Sequence, residues 1–350
     1  MKYVDSYISV STKDSIKLDG SETYIRMDNE LVVLIKSALG RLSLSAYPNE
    51  ENTKVRELYA SYVKNGVTKE NILVGNGSSE FLGLIISDVI NAGEKILTLS
   101  PECFCYEKYI SLVNGEIIEY KCDKDGSFNI DDFIKLGKEE GVKLIMFSNP
   151  NNPTGHILTE EEIEKILISF KNEYVVVDEA FYEFYGETSV KLLQKYKNLL
   201  ITRTLSRGWV LSSIRVGFLI SSEDNINKFK KKKAKYTVNS VSEMIAEKAL
   251  ENSKKILSKV KNIINEREKL YSVLLELEKD AALEVHFYKS NASYIFGRTP
   301  YKEALIKGLD SARIHIKNFD DDSFRITVGS SFENNRIIDA LKEIFMYGGE

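Results

Sequence analysis

Asn149-Pro150-Asn151-Asn152-Pro153-Thr154-Gly155 is the stretch on which the fold reading turns. Two prolines and a glycine in seven residues fix a sharp turn, since proline locks φ and glycine tolerates positive φ. The turn follows an apolar run, Leu144–Phe147, and a second run, Tyr174–Val177, leads into Asp178-Glu179-Ala180. Between them Thr159–Phe170 is amphipathic and opens with Thr159 followed three residues later by Glu162, a helix-capping pattern. An apolar run, a turn, a helix and another apolar run describe a parallel strand–helix–strand unit.

The same alternation continues outward. Asn71–Val74, Lys95–Leu99, Glu116–Tyr120, Leu199–Arg203 and Val216–Ile220 read as strands, with helices at Ser79–Ala92 and Thr188–Tyr196. The fold class is α/β, with a large domain over 45–250 built on a mostly parallel sheet. From about Ser240 the period turns helical, through Met244–Glu251 and Ile256–Glu278. Strand-like runs return at Leu283–Tyr288, Ala292–Phe296 and Ser323–Thr327, before a last helix at Asn335–Phe345. That pattern predicts a smaller α+β domain over 251–350. Residues 1–44 carry too few apolar positions for a domain of their own and are expected to drape over the smaller domain and reach toward the cleft.

The chain has 350 residues, a net charge of −4 and a pI near 5.7, which argues against nucleic acid as a partner. No stretch reaches the roughly 20 apolar residues needed to cross a bilayer. The first residues, Met1-Lys2-Tyr3-Val4-Asp5-Ser6, lack an apolar signal core, and three cysteines make no disulfide framework, so a cytoplasmic setting is expected. Cys103 and Cys105 have no partners at zinc spacing, and no metal site is expected. The basic run Lys228–Lys235 reads as a solvated helix face, and His156, His286 and His315 read as scaffold residues.

Several motifs carry chemistry. Gly75-Asn76-Gly77-Ser78-Ser79-Glu80 follows the apolar run Ile72-Leu73-Val74 and opens a helix. Helix N-termini offer free N–H groups to anions, although Gly-Ser turns before helices are also common as plain turns. Asp178 ends a buried run at the strand edge where open α/β sheets bind ligands, a position equally suited to a loop cap. Arg215 lies eight residues beyond Arg207 in Thr204-Leu205-Ser206-Arg207-Gly208-Trp209.

Taken in order, these motifs resemble the fold-type I, class I/II aminotransferases that use pyridoxal phosphate, most closely histidinol-phosphate aminotransferases. The resemblance runs from about Ile16 to Phe345 and implies a large domain of the pyridoxal-phosphate transferase type. It implies a homodimer acting on a small amino or keto acid. Ser78, Ser79, Thr204, Ser206 and Arg215 match the residues that hold the cofactor phosphate, and Tyr47 matches one reaching it from the neighbouring subunit. Asp178 matches the aspartate paired with the ring nitrogen, and Asn152 the donor to the phenolic oxygen.

Three positions depart from the family. Phe181 replaces a tyrosine donor, with Tyr182 next to it. Cys103 falls where an aromatic stacks on the ring. Arg207 stands where the family has the lysine that condenses with the cofactor and moves the α-proton. A guanidinium remains protonated, its pKa exceeding roughly 12, and is a poor nucleophile, so any cofactor is expected to be held noncovalently. Lys191 and Lys195, in an exposed pattern, offer no substitute. At the substrate end Arg325 matches the arginine for the substrate carboxylate or phosphate, Lys317 a second arginine, and Tyr24 a residue that closes over substrate. The resemblance leaves open an aminotransferase, a noncatalytic cofactor-binding relative with a regulatory or partner role, and a decarboxylase of a phosphorylated amino acid.

Overall fold

A computed structural model describes residues 15–102 and 105–347. Its strands are β1 (Ile16–Leu18), β2 (Ile72–Asn76), β3 (Lys95–Ser100), β4 (Glu116–Lys121), β5 (Leu144–Ser148) and β6 (Tyr174–Asp178). They continue with β7 (Leu199–Thr204), β8 (Val216–Ile220), β9 (His286–Tyr288), β10 (Tyr294–Arg298), β11 (Ile314–Asn318) and β12 (Ser323–Thr327).

The chain divides into a unit of Met27–Val260 and a second unit of Lys261 onward joined by the chain up to Arg26. These boundaries differ from the expected 44/45 and 250/251. The N-terminal one moves because helix Asn29–Leu39 belongs with the larger unit, where Lys255 pairs with Asp28 at 3.1 Å and Glu30 at 2.7 Å. Only the segment before it goes with the smaller unit, where β1 pairs in parallel with β11.

In the larger unit seven strands form one sheet in the order β2-β8-β7-β6-β5-β3-β4. All run parallel except β8, which is antiparallel to both neighbours. β5, β7 and β8 are buried along their whole length, as a sheet covered on both faces requires. Helix Ser78–Val89 and helix Glu160–Ser169 stand near the expected positions, and the latter carries the full capping box of Thr159 and Glu162. The expected helix over Thr188–Tyr196 is instead a single 3-10 turn, Ser189–Leu192. Its first amide, Ser189 N, donates to Glu179 at 2.6 Å and its second to Thr188 at 3.1 Å, and the segment then turns into β7.

The smaller unit holds the five-stranded sheet β1-β11-β12-β10-β9, antiparallel apart from β1, packed on helices Val260–Asp280, Lys302–Ser311 and Ser331–Tyr347 through one apolar cluster. The basic run falls on helix Glu223–Lys232 and just beyond it, where acids meet it: Lys228 and Lys232 on Asp88, Lys230 on Glu51 and Lys235 on Glu50. It is a paired surface in an acidic chain.

A charged pair sits inside the larger unit. Arg203 on β7 meets Glu179 just past β6 at 2.7 Å, and both side chains are almost wholly buried. The guanidinium also donates to Thr188 Oγ1 at 2.6 Å and lies 3.7 Å from the centre of the Tyr182 ring. Glu179 accepts further from Thr188 at 2.9 Å. A buried charge that loses its partner keeps its desolvation cost without the compensating attraction. Arg203→Met should therefore lower the unfolding free energy by about 3–5 kcal/mol, and Arg203→Met with Glu179→Leu should recover much of that loss. Urea denaturation of the three proteins measures it.

Candidate functional site

The site grows from the C-terminal edge of the parallel strands. β2 ends in a turn whose Gly77, at φ 76°, is the N-cap of helix Ser78–Val89. A Cβ on Gly77 would lie 2.6 Å from Arg215 Nη2 and 3.4 Å from Ser79 Oγ, so the guanidinium rests against the helix start. Gly217 is equally constrained, since a Cβ there would meet Ser78 N at 2.2 Å. Its bare backbone lets β8 come up directly beneath the helix N-terminus.

Arg215 reaches this place because β8 runs backward, so that its first residue lies at the edge where β7 ends. Arg215 Nη1 donates to Ser206 Oγ at 3.1 Å and to Ser212 O at 3.2 Å. Thr204 Oγ1 and Ser206 Oγ are 2.9 Å apart, and both residues are buried. Two hydroxyls, a guanidinium and the amide end of a twelve-residue helix thus converge, a donor set shaped for a phosphate group. Among the expected phosphate residues, Ser78, Ser79, Thr204, Ser206 and Arg215 come together. Tyr47 stands elsewhere on the same unit, 83% exposed and stacked on Tyr236 with ring centres 5.0 Å apart.

Asp178 is the last residue of β6, opposite Ser148 of β5 and Thr202 of β7. Thr202 Oγ1 donates to its Oδ1 at 2.7 Å. Burial pushes the carboxyl up to about 6, against the pull of the Thr202 hydrogen bond and the Arg207 charge. Arg207 also faces the Phe181 ring, its Cζ 5.4 Å from the ring centre. Tyr182 points the other way, under Arg203, and supplies no hydroxyl in place of the one Phe181 lacks. Lys191 and Lys195 are tied in surface pairs, to Glu187 and Glu160 and to Glu164.

The turn after β5 divides its asparagines between two jobs. Asn149 braces the turn, donating to Leu158 O at 3.1 Å and accepting from Leu158 N at 2.9 Å. Asn151 accepts from Thr154 Oγ1 at 2.7 Å and donates to Glu102 at 3.2 Å. Asn152 is half-buried, with its backbone N–H on Ser148 Oγ at 2.9 Å. Glu102, which sequence reasoning passed over, ties the two loops together by accepting from Ser148 N at 2.9 Å and from the Ser148 hydroxyl. Its only signal in the sequence is its place beside Pro101. Cys103 and Phe104 lie outside the described residues.

In the smaller unit Arg325 and Lys317 stand opposite each other on β12 and β11. Arg325 is buried, with Nη2 donating to Asp19 O at 3.2 Å and Gly20 O at 3.1 Å and Cζ lying 4.9 Å from the Tyr294 ring centre. Lys317 is exposed. Tyr24 is half-buried, and burial, then Glu266 and Glu333, raise its hydroxyl pKa.

A mostly parallel sheet carrying a phosphate-shaped helix start and a buried aspartate at one edge defines a cofactor-dependent transferase scaffold, and the family model of class I and II aminotransferases matches residues 29–341. The chain belongs to that family, whose members depend on pyridoxal phosphate and act on small molecules. It is similar to the histidinol-phosphate aminotransferase of Clostridium novyi, with 35% identity over 342 residues covering 96% of this chain and 93% of the relative. The same fold appears in the crystal structure of the Clostridium acetobutylicum histidinol-phosphate aminotransferase, at TM-score 0.83 and 23% identity, covering 94% of this chain and 98% of that one. It also appears in the Sinorhizobium meliloti enzyme in complex with pyridoxal-5'-phosphate, at TM-score 0.83 and 19% identity over 95% and 91% of the chains.

Asp178 gives a pH signature in the ligand-free protein. Its folded carboxyl keeps a proton up to about 6, above the ordinary 3.8, so the native state holds the extra proton in that window. Stability should fall as pH rises through the window and stay lower above it, by roughly 3 kcal/mol at most. Thermal melts at pH 4.5 and 7.5 should show this slope flattened in Asp178→Asn.

Proposed function

We propose that this chain is a cytoplasmic, homodimeric pyridoxal-phosphate protein of aminotransferase chemistry that acts on a phosphorylated or otherwise anionic amino substrate of the histidinol-phosphate kind, and that it holds its cofactor without a covalent link. The observation that carries the reading is the convergence of Arg215, Ser206 and Thr204 on the start of helix Ser78–Val89, on the same sheet edge as the buried Asp178.

The residues present fit the cofactor. Ser78, Ser79, Thr204, Ser206 and Arg215 would hold its phosphate. The Asp178 carboxylate, kept from water, would hold the proton on the ring nitrogen, and Asn152 would donate to the phenolic oxygen. When bound, the protonated ring supplies an electron sink for the electrons left by a departing α-proton. Phe181 lines the pocket without donating. Arg207, a permanent cation near Asp178, adds charge for an anionic group but has no lone pair with which to take a proton. Arg325, with Lys317 and Tyr24, is assigned to the substrate's anionic end. Tyr47 is assigned to the partner subunit's phosphate, a reading supported by its exposure, 83%, where it stacks only on Tyr236 among the ring contacts of the described residues.

A noncatalytic cofactor-binding role is the second reading, and the guanidinium at position 207 is what favours it. Steady transamination of histidinol phosphate by the unmodified protein, abolished in Asp178→Ala, would exclude it. In the proposed state, dialysis should strip the visible-absorbing cofactor, and borohydride treatment followed by mass spectrometry should find no adduct on the chain. Arg207→Lys should retain colour through dialysis and raise turnover by roughly 10²–10⁴-fold, the worth of a positioned general base. An adduct on the unmodified chain would overturn the noncovalent reading.

A further inference from the structure

Directly beneath the turn that carries Arg207 lies a carboxyl group with no part in the chemistry above. Glu183, in the short helix Tyr182–Tyr185, accepts from Trp209 Nε1 at 2.9 Å and from the Tyr62 hydroxyl at 3.4 Å, both on Oε1. The Tyr62 ring meets the Trp209 ring edge-on, with centres 4.9 Å apart. Glu183 Oε2 is buried and receives no hydrogen bond from another described residue. The turn presses on this group: a Cβ on Gly208 would lie 2.5 Å from Glu183 Cβ and 3.0 Å from Oε2. The backbone between Arg207 and Trp209 is therefore packed closely on Glu183. The turn is otherwise tight, with Val210 N on Arg207 O at 3.0 Å, Leu211 N on Leu205 O at 3.0 Å and Val210 at φ 63°.

We propose that Glu183 is a positioning residue for Arg207: through Trp209 it clamps the 206–210 turn, and the clamp tightens when the carboxyl loses its proton. The proposal rests on the reading of Arg207 as a cofactor-pocket residue. A hydrogen bond accepted by a carboxylate is shorter and stronger than one accepted by a carboxylic acid. Ionisation therefore strengthens the Trp209 and Tyr62 bonds together, and the Arg203 charge favours the ionised form. Burial pushes the Glu183 carboxyl up to about 7, against the lowering pull of Arg203 and the bonds from Trp209 and Tyr62. The groups facing it are Arg203 from β7, Tyr59 and Tyr62 from helix Thr53–Val63, and Glu179 and Tyr182 from its own segment. Burial raises the tyrosine hydroxyls above their ordinary value, away from neutrality, while it brings the Glu183 carboxyl up to about 7.

The test exploits the single tryptophan of the chain, because all tryptophan emission comes from Trp209. Emission of the full-length protein without cofactor should step between pH 5.5 and 8.5 with a midpoint near 7, and Glu183→Gln should abolish the step. Pyridoxal phosphate dissociation constants, read by absorbance in all three proteins and also by quenching in the two that keep Trp209, are compared at pH 6 and 8 for wild type, Glu183→Gln and Trp209→Phe. Relative to both variants, wild type should gain roughly three- to tenfold in affinity on going from pH 6 to 8, the scale of one strengthened hydrogen bond. Phosphate and ring titration of the ligand cancel in that ratio. Emission without a step, or both variants following the wild-type pH profile, would overturn the proposal. If wild type binds no pyridoxal phosphate, the cofactor reading fails, and the emission step alone decides whether Glu183 clamps the turn.

Discussion

The buried pair of Arg203 and Glu179 is the interaction on which the arrangement of this molecule depends. Each partner lies one step from a residue of the candidate site, Arg203 before Thr204 and Glu179 after Asp178, so the pair fastens the ends of β6 and β7 side by side. Its remaining hydrogen bonds reach Thr188 and Ser189, and its open guanidinium face is capped by Tyr182. The short helix after β6 is thereby fixed in direction. Tyr182 turns toward the pair, Phe181 turns toward Arg207, and Glu183 lies under Gly208. An apolar pair of equal volume would fill the space, yet it would not bind the Ser189 amide or orient the Tyr182 ring.

The pocket edge works by placing backbone where side chains would obstruct. Gly77 and Gly217 let a helix start, a reversed strand and a guanidinium occupy a space that two methyl groups would close. The resulting site is rich in donors, and Asp178 is its buried acid. Burial raises the aspartate, and the charge of Arg207 partly offsets that rise. The electrostatic balance at the sheet edge therefore involves position 207 even where no covalent chemistry does.

Much of the larger unit was legible because its strands are short apolar runs ending in turn residues, a pattern that burial on both faces imposes. β1 and β11 were not legible. Ile16–Leu18 is three residues long, and Ile314–Asn318 alternates polar and apolar residues beside a helix that sequence reading also missed. The stretch Thr188–Tyr196 has helical periodicity, but Glu179 captures its first amide from outside, a tertiary contact no local pattern announces. Within the candidate site, the phosphate-side residues were readable from motif order. Arg203 was hidden inside an apolar strand, and Glu183 and Glu102 looked like ordinary loop acids until their donors came into view.

The reversed direction of β8 has an evolutionary corollary. Because β7 and β8 are adjacent and antiparallel, residues 205–215 leave the sheet and rejoin it at neighbouring points. They form a loop that carries position 207, the sole indole and the guanidinium facing the helix start, and Trp209 ties that loop to Glu183 in the short helix after β6. A change of residue 207 leaves the register of β7 and β8 in place, yet any redrawing of the loop has to keep an indole donor for Glu183, so the chemistry at this edge and the helix after β6 are bound to change together.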